Sequence, residues 1–232
     1  MKKTEQDRFR HELKYICSGA QLITLRSRLE ALMQRDSHVG KDGAYLIRSL
    51  YFDDYEDGCL MENEDGVSPR KKWRIRIYNG STDYISLECK HKSYDMIRKE
   101  SCRISLDQFE RIYSSSLAIG SGFPELLKRF LTEQYIRMLH PAVIVQYRRY
   151  PFVCREGNVR VTLDCNITSA PPVRDFFRKD MPERPVQEKG QHLLEVKFDE
   201  YLPDYIYHTV QQTDMRRTAF SKYYLCRRYE AQ

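Results

Sequence analysis

The sequence predicts an α+β fold built on an antiparallel sheet, and two observations carry that prediction. The first is strict alternation of charged and apolar residues in several short segments. Lys71–Tyr78 puts Lys72, Arg74 and Arg76 on one face and Trp73, Ile75 and Ile77 on the other. Tyr84–Lys90 sets Ser86, Glu88 and Lys90 against Ile85, Leu87 and Cys89; Asn158–Asp164 separates Arg160, Thr162 and Asp164 from three aliphatics; Leu193–Asp199 repeats the pattern with Glu195 and Lys197. The second is a pair of helix-start signals between such segments, Ser18 with Gln21 and Ser105 with Gln108, each a capping-box spacing.

Taken in chain order, Arg8–Ile16 reads as a first strand, followed from Ser18 by a helix whose apolar stripe is Leu22, Leu25, Leu29 and Leu32 and which ends near Gln34. Ala44–Phe52 reads as a strand, and Asp53 and Asp54 are placed to cap a short helix through Asn63. The basic strand and the Glu88 strand follow, joined by the polar hairpin turn Asn79-Gly80-Ser81, then a strand over Arg98–Ile104. Leu106, Phe109 and Ile112 are the buried stripe of the helix begun by Ser105. Pro124 opens another, with Leu127, Phe130, Leu131, Ile136 and Leu139 on its apolar side as far as Pro141. Strands over Ala142–Phe152, Asn158–Ile167 and Leu193–Asp199 bring the total to about eight, with helical segments near Asp204–Gln211 and Ser221–Arg228 at the end.

At 232 residues the chain can bury a sizeable core, and no linker or internal repeat divides it, so one domain over 1–232 is expected. The polar stretch Pro171–Lys189 reads as a loop inserted within that fold. No apolar h-region follows the N-terminus and no apolar run is long enough to span a bilayer, so a soluble, cytoplasmic chain is expected. The seven cysteines form no Cys-x-x-Cys pair and no zinc spacing with histidine; reduced, structural thiols are expected, with Cys89 on an apolar strand face.

Charge points further than composition does. The net charge of +6 suits an anionic ligand without requiring nucleic acid. Lys72, Arg74 and Arg76 recur at the repeat of about 6.5–7 Å that separates alternate strand residues, a spacing suited to neighbouring phosphoryl groups. A solvated sheet face is the commonest source of such a pattern, but four segments share it. They fit either an open sheet with its charged face in water or a closed barrel whose charged face lines a lumen.

Several further motifs join these strands in order: His11-Glu12-Leu13-Lys14-Tyr15, Ile47-Arg48-Ser49-Leu50-Tyr51-Phe52-Asp53, Arg74-Ile75-Arg76, Leu87-Glu88-Cys89-Lys90, Tyr147-Arg148-Arg149, Arg160, Leu194-Glu195-Val196-Lys197 and Phe220-Ser221-Lys222-Tyr223. From about Arg8 to Tyr224 the chain resembles the VTC domain, the polyphosphate polymerase branch of the CYTH, or triphosphate tunnel metalloenzyme, superfamily. The resemblance implies a closed eight-stranded antiparallel β-barrel with a polar basic lumen, flanked by helices. It implies transfer of the γ-phosphoryl group of ATP onto inorganic polyphosphate, with a divalent metal ion, Mn2+ or Mg2+. Carried over by motif, Lys14, Arg74, Arg76, Lys90, Arg149, Arg160 and Lys222 are the expected phosphate ligands, with Tyr147, Lys99 and Ser221 beside them and Arg98 as a further extension of the basic lining. Glu195 is the expected metal ligand, Glu88 a weaker candidate. Glu12 is read equally as a metal ligand or as the ion-pair partner of a lumenal cation such as Lys14.

The residue chemistry suits that reading, since phosphoryl transfer needs positioned cations more than covalent catalysis, and an acceptor phosphate already carries anionic oxygens. Arg148 alternates out of phase with Arg149 and is left out; Ser221 reads as a helix cap rather than a nucleophile. Where hydrolytic relatives carry Glu-x-Glu-x-Lys, this chain has Arg10-His11-Glu12-Leu13-Lys14, which favours the polymerase-like branch. A triphosphatase and a non-catalytic polyphosphate-binding module remain as alternatives. A nucleic-acid partner is not expected, because a narrow lumen excludes a duplex and no aromatic stacking platform accompanies the basic strands.

Overall fold

The computed structural model describes residues 9–172, 176–211 and 215–230. In chain order the elements are β1 (Arg10–Ser18), α1 (Gly19–Leu32), β2 (Gln34–Arg35), β3 (Tyr45–Asp53), α2 (Gly58–Glu64), β4 (Arg70–Tyr78), β5 (Ile85–Ser93), β6 (Met96–Ile104), α3 (Leu106–Tyr113), α4 (Glu125–Ile136), β7 (His140–Cys154), β8 (Val159–Ala170), β9 (Arg184–Pro185), β10 (Gln191–Phe198), α5 (Asp204–Val210) and α6 (Lys222–Glu230).

All strand pairings are antiparallel. The order β7-β3-β4-β5-β6-β1-β10-β8 returns to β7, closing an eight-stranded barrel, and the two-residue strands β2 and β9 pair with β7 and β8 beyond the stretches paired with β3 and β10. Closure removes the exposed edges that an open sheet of this length would present. It also answers what alternation alone left open: the charged faces of β1, β4, β5, β6, β8 and β10 turn inward.

The local signals act as read. Both capping boxes are made, Ser18 with Gln21 and Ser105 with Gln108. Asn79 and Gly80 take the left-handed conformations (φ 52° and 68°) that a tight hairpin turn requires. Asp53 accepts from the backbone N–H groups of Cys59 and Leu60, and Asp54 from that of Gly58, so both carboxylates serve the start of α2 from a few residues upstream.

Outside the barrel, Trp73, Ile75 and Ile77 of β4 and Ile85, Leu87 and Cys89 of β5 pack under α3 and α4, with Phe130 edge-on to both Trp73 and Phe52. A second apolar layer joins Leu25 and Leu29 of α1 and Ile206 and Val210 of α5 to Val161, Leu163, Leu194 and Val196. Residues 173–175 of the stretch read as a polar loop lie outside the described residues; from Phe176 on it is pinned to this exterior. Phe176 is fully buried against Phe109, and Arg48, on the outer face of β3, donates to the carbonyls of Phe176 and Arg178.

One expectation needs correction. The inward face is not polar throughout: Val143, Val145 and Tyr147 of β7 and Ile167 of β8 point inward and pack on Tyr223 and Cys226 of α6. Asn166 (φ 53°) sits at an irregularity in the β7–β8 pairing, after which the inward positions of β8 change parity from Arg160, Thr162 and Asp164 to Ile167 and Ser169. The terminal helix therefore fills part of the barrel with apolar side chains and leaves the remainder as the charged cavity. All seven cysteines are free; burial pushes Cys17, Cys59, Cys89 and Cys165 up to about 12, as expected of structural thiols. No helix among the described residues is long and apolar enough to cross a membrane.

Candidate functional site: a cation-lined barrel cavity

The barrel encloses a cavity of about 770 Å³. Fourteen lysine and arginine side chains line it, against three glutamates, Glu12, Glu156 and Glu195. Such a concentration of one sign inside a low-dielectric wall focuses the field on any entering anion.

At the centre, β7, β8, β10 and α6 converge on two carboxylates. Arg149 and Asp164 are directly paired across β7 and β8, and the guanidinium holds the carboxylate with both arms, Nε to Oδ1 at 2.6 Å and Nη2 to Oδ2 at 2.7 Å. Lys222, at the first position of α6, places Nζ 2.7 Å from Asp164 Oδ2 and 2.6 Å from Glu195 Oε1. Glu195 also faces Arg149 and Lys197, each at 3.4 Å, and Lys14 at 4.0 Å. Burial alone would raise the Glu195 carboxyl, yet Lys222, Lys197, Lys14 and Arg149 hold it well below the usual carboxylate range. Burial opposes the charge of Lys222 too, and Asp164 and Glu195 reverse that, so its ammonium titrates above the ordinary lysine value. The Tyr147 ring lies against both cations, 5.2 Å from Arg149 and 4.8 Å from Lys222.

A second cluster surrounds Glu88, whose side chain is 1% exposed. Its Oε2 accepts from Arg74 Nε at 2.7 Å and its Oε1 from Lys99 Nζ at 3.0 Å, while Arg76 Nη1 stands 3.7 Å away. Arg74 is further held by the Tyr51 hydroxyl at 2.9 Å, and Arg76 by Ser49 at 3.1 Å and Tyr147 at 3.3 Å. A third cluster is built on Glu12. Lys90 contacts both its oxygens at 3.0 Å, Lys14 lies at 3.3 Å and Lys197 at 3.4 Å. Burial lowers Lys90 to about 7 even though Glu12 pulls it the other way.

Every phosphate ligand expected by motif therefore lines this one cavity: Lys14, Arg74, Arg76, Lys90, Arg149, Arg160 and Lys222, with Lys99, Tyr147 and Ser221. Arg160 sits nearer the rim, tied to Asp36 at 2.7 Å and to the Tyr45 hydroxyl at 2.9 Å. Ser221 Oγ accepts from the Tyr224 N–H at 3.2 Å, as a helix cap does. Glu12 pairs with Lys14, Lys90 and Lys197, and its place beside Glu195 also suits the metal-binding role that the sequence left equal with ion pairing. Arg98 does not extend the lining: alternation on β6 turns Lys99 inward and Arg98 outward to Glu100. Arg148, set aside on phase, pairs with Asp42 on the outside.

Three members of the site were not singled out from the sequence. Asp164 and Lys197 stood on the correct face of their strands but carried no distinguishing signal beyond it. Tyr51 lies in a run of mostly apolar residues whose inward parity becomes visible only once the barrel closes.

Among the described residues no three metal-ligating side chains of His, Cys, Asp or Glu converge. A hard divalent cation nevertheless needs only one or two carboxylates when substrate phosphates and water complete its shell. Glu195, joined by Glu12 across the shared cations Lys14 and Lys197, meets that requirement. Glu88, with both oxygens engaged by Arg74 and Lys99, offers less.

No curated protein matches the chain. Among solved structures it is similar to a candidate adenylate cyclase from Bacillus halodurans, with 14% identity, 83% of this chain and 81% of that one covered, and a TM-score of 0.49. It is also similar to a protein from Pyrococcus horikoshii (13% identity, 96% and 99% covered, TM-score 0.48) and to the Mimivirus capping-enzyme triphosphatase (9%, 90% and 92%, TM-score 0.41). The family model that matches is that of the VTC domain, over residues 9–229, the same span over which the motifs fall. The chain belongs to the VTC domain family.

Proposed function

We propose that the protein is a polyphosphate polymerase that transfers the γ-phosphoryl group of ATP onto the end of an inorganic polyphosphate chain. The observation that carries this reading is the cavity wall: Arg74, Arg76, Arg149, Lys14, Lys90 and Lys222 face one space, and each is held in place by a carboxylate rather than by solvent.

A cation pre-oriented by its neighbour pays little further entropy when an anion arrives. Non-bridging phosphate oxygens replace carboxylate oxygens around Arg149 and Arg74, whose planar forks match them, while Lys14, Lys90 and Lys222 act as mobile point charges. Arg76, fixed by Ser49 and Tyr147, adds a cation in the same row as Arg74. These groups neutralise the charge that spreads over the transferring phosphoryl oxygens, the dominant requirement of this chemistry. Glu195, with Glu12 beside it, would hold a divalent ion, which when bound would add to the neutralisation of the phosphate oxygens. No side chain has to act as general base, because the terminal phosphate of the acceptor is itself the nucleophile. Arg10 stands on the rim and is ion-paired to Asp199 at 2.7 Å, so β1 offers the cavity a single glutamate.

The test is incubation of purified protein with γ-labelled ATP and manganese or magnesium, with products resolved on a gel. Labelled polymer is the expected product. Free phosphate alone would make water the acceptor and the protein a triphosphatase; no turnover would leave a binding module.

A further inference from the structure

Most of the fourteen cations that line the cavity have a carboxylate partner, and among the described residues four do not: Arg155, which is exposed, and three that cluster on one side of the barrel. Arg70 and Lys72 of β4 and Lys92 of β5 line the cavity beside α2 and α6, and among the described residues none has a carboxylate within ion-pair distance. Their placement is costly. Arg70 is directly opposite Lys92 across the β4–β5 ladder, and Lys72 directly opposite Lys90, so two successive cross-strand pairs set like charges against each other. Lys72 makes only neutral contacts: it donates to Asn63 Oδ1, lies 3.1 Å from Ser221 Oγ and sits 4.7 Å above the Tyr223 ring. Arg70 reaches a single backbone carbonyl, that of Val67, at 2.6 Å.

We propose that Arg70, Lys72 and Lys92 form an anion subsite of their own, which holds phosphate groups of a linear chain beyond those held at the Glu195 centre and so makes the cavity select long phosphate chains over short ones. The inference rests on the polyphosphate reading of the cavity. Ser221 links the two places, since its hydroxyl meets Lys72 while the next residue, Lys222, reaches Glu195 and Asp164. At the centre, an incoming anion must displace carboxylates, which offsets part of its gain. At the subsite no carboxylate is displaced, only neutral hydrogen-bond partners, and the anion also relieves the repulsion between paired cations. Burial first, then the nearby charges of Arg70 and Lys90, hold Lys72 well below its ordinary value; an anion beside it would offset the second of these and favour its charged form.

Calorimetric titration of the full chain with tripolyphosphate and with a long polyphosphate tests this. The Lys92→Gln variant, which loses no hydrogen bond or ion pair among the described residues, and the Arg70→Gln/Lys92→Gln variant are compared with wild type. In the double variant affinity for the long chain is expected to fall about tenfold, with tripolyphosphate changed by less than about twofold, and the single variant to lie between. Equal loss for both ligands, or loss for neither, would overturn the subsite. Wild type that binds tripolyphosphate without gaining affinity for the longer chain would also overturn it, leaving the function intact. Wild type that binds neither would overturn the polyphosphate reading itself.

Discussion

On the proposed reading, Glu195 is the residue on which binding and turnover part company. Its carboxylate compensates Lys222, Arg149, Lys197 and Lys14, so an amide in its place leaves those cations freer for phosphate. Glu195→Gln is therefore expected to lower metal-dependent turnover at least about 100-fold while tripolyphosphate affinity stays equal or rises. Steady-state kinetics beside calorimetry reads both, and equal turnover by wild type and variant would remove Glu195 from the metal site. Arg74→Ala or Lys222→Ala is expected to weaken binding and turnover together, each by about 10- to 100-fold, because a charged hydrogen bond to phosphate is lost and a buried carboxylate is left uncompensated. Lys90 supplies the pH dependence. With its folded value near 7 against 10.5, it loses its charge as pH rises through 7. Anion affinity should then fall by roughly fivefold between pH 6 and 8, and Lys90→Met should remove that step. The same group depresses stability below pH 7 and releases that cost as pH climbs toward 10.5, since the unfolded chain binds the extra proton across that window. Glu195 has the opposite sign: its contribution is present above the ordinary carboxylate value and is lost only as pH falls well below it.

At the scale of elements, the cavity is as exact as the layers behind it. Phe130 of α4 stands edge-on to Trp73, the residue between Lys72 and Arg74, so Phe130→Ala is expected to cost about 3–5 kcal/mol of stability in urea unfolding. A loss under about 1 kcal/mol would mean that α4 does not support the basic strand. The same strand shows what the sequence made legible. Period-two alternation placed Lys72, Arg74 and Arg76 on the cavity side and Trp73, Ile75 and Ile77 beneath the helices, because a strand leaves its side chains no third direction. β3 was less legible. Arg48 lies outward among loop carbonyls while Tyr51 points in, so charge and burial exchange their usual faces. β8 hid its change of parity at Asn166, where an irregular pairing rather than composition decides which side chains point inward. α6 was read as a helix capped by Ser221, and the Tyr224 N–H that donates to its hydroxyl bears that out. That its later residues would fill the barrel could not be read from a nine-residue polar segment.

For the molecule as a whole, self-neutralised charge is the organising feature. Desolvated ion pairs seldom stabilise more than apolar packing of the same volume would, so a barrel filled with them keeps a ligand-responsive interior at some cost in stability. Saturating tripolyphosphate, at about 100 times its Kd, should therefore add about 2.7 kcal/mol and raise the melting temperature by roughly 5–10 °C. The increment should shrink in Arg149→Ala if the ligand sits at the centre. What the motifs implied about closure was sound, since eight strands return on themselves and carry every expected phosphate ligand to one cavity. The division of that cavity between paired and unpaired cations depends on distances across the barrel, which no local pattern encodes. The most direct measurement is a crystal structure of the protein with tripolyphosphate and manganese. The account predicts phosphate groups inside the barrel against Arg74, Arg149 and Lys222, with the metal on Glu195. Phosphate bound only on the outer surface, with the Arg149–Asp164 and Lys222–Glu195 pairs undisturbed, would contradict it.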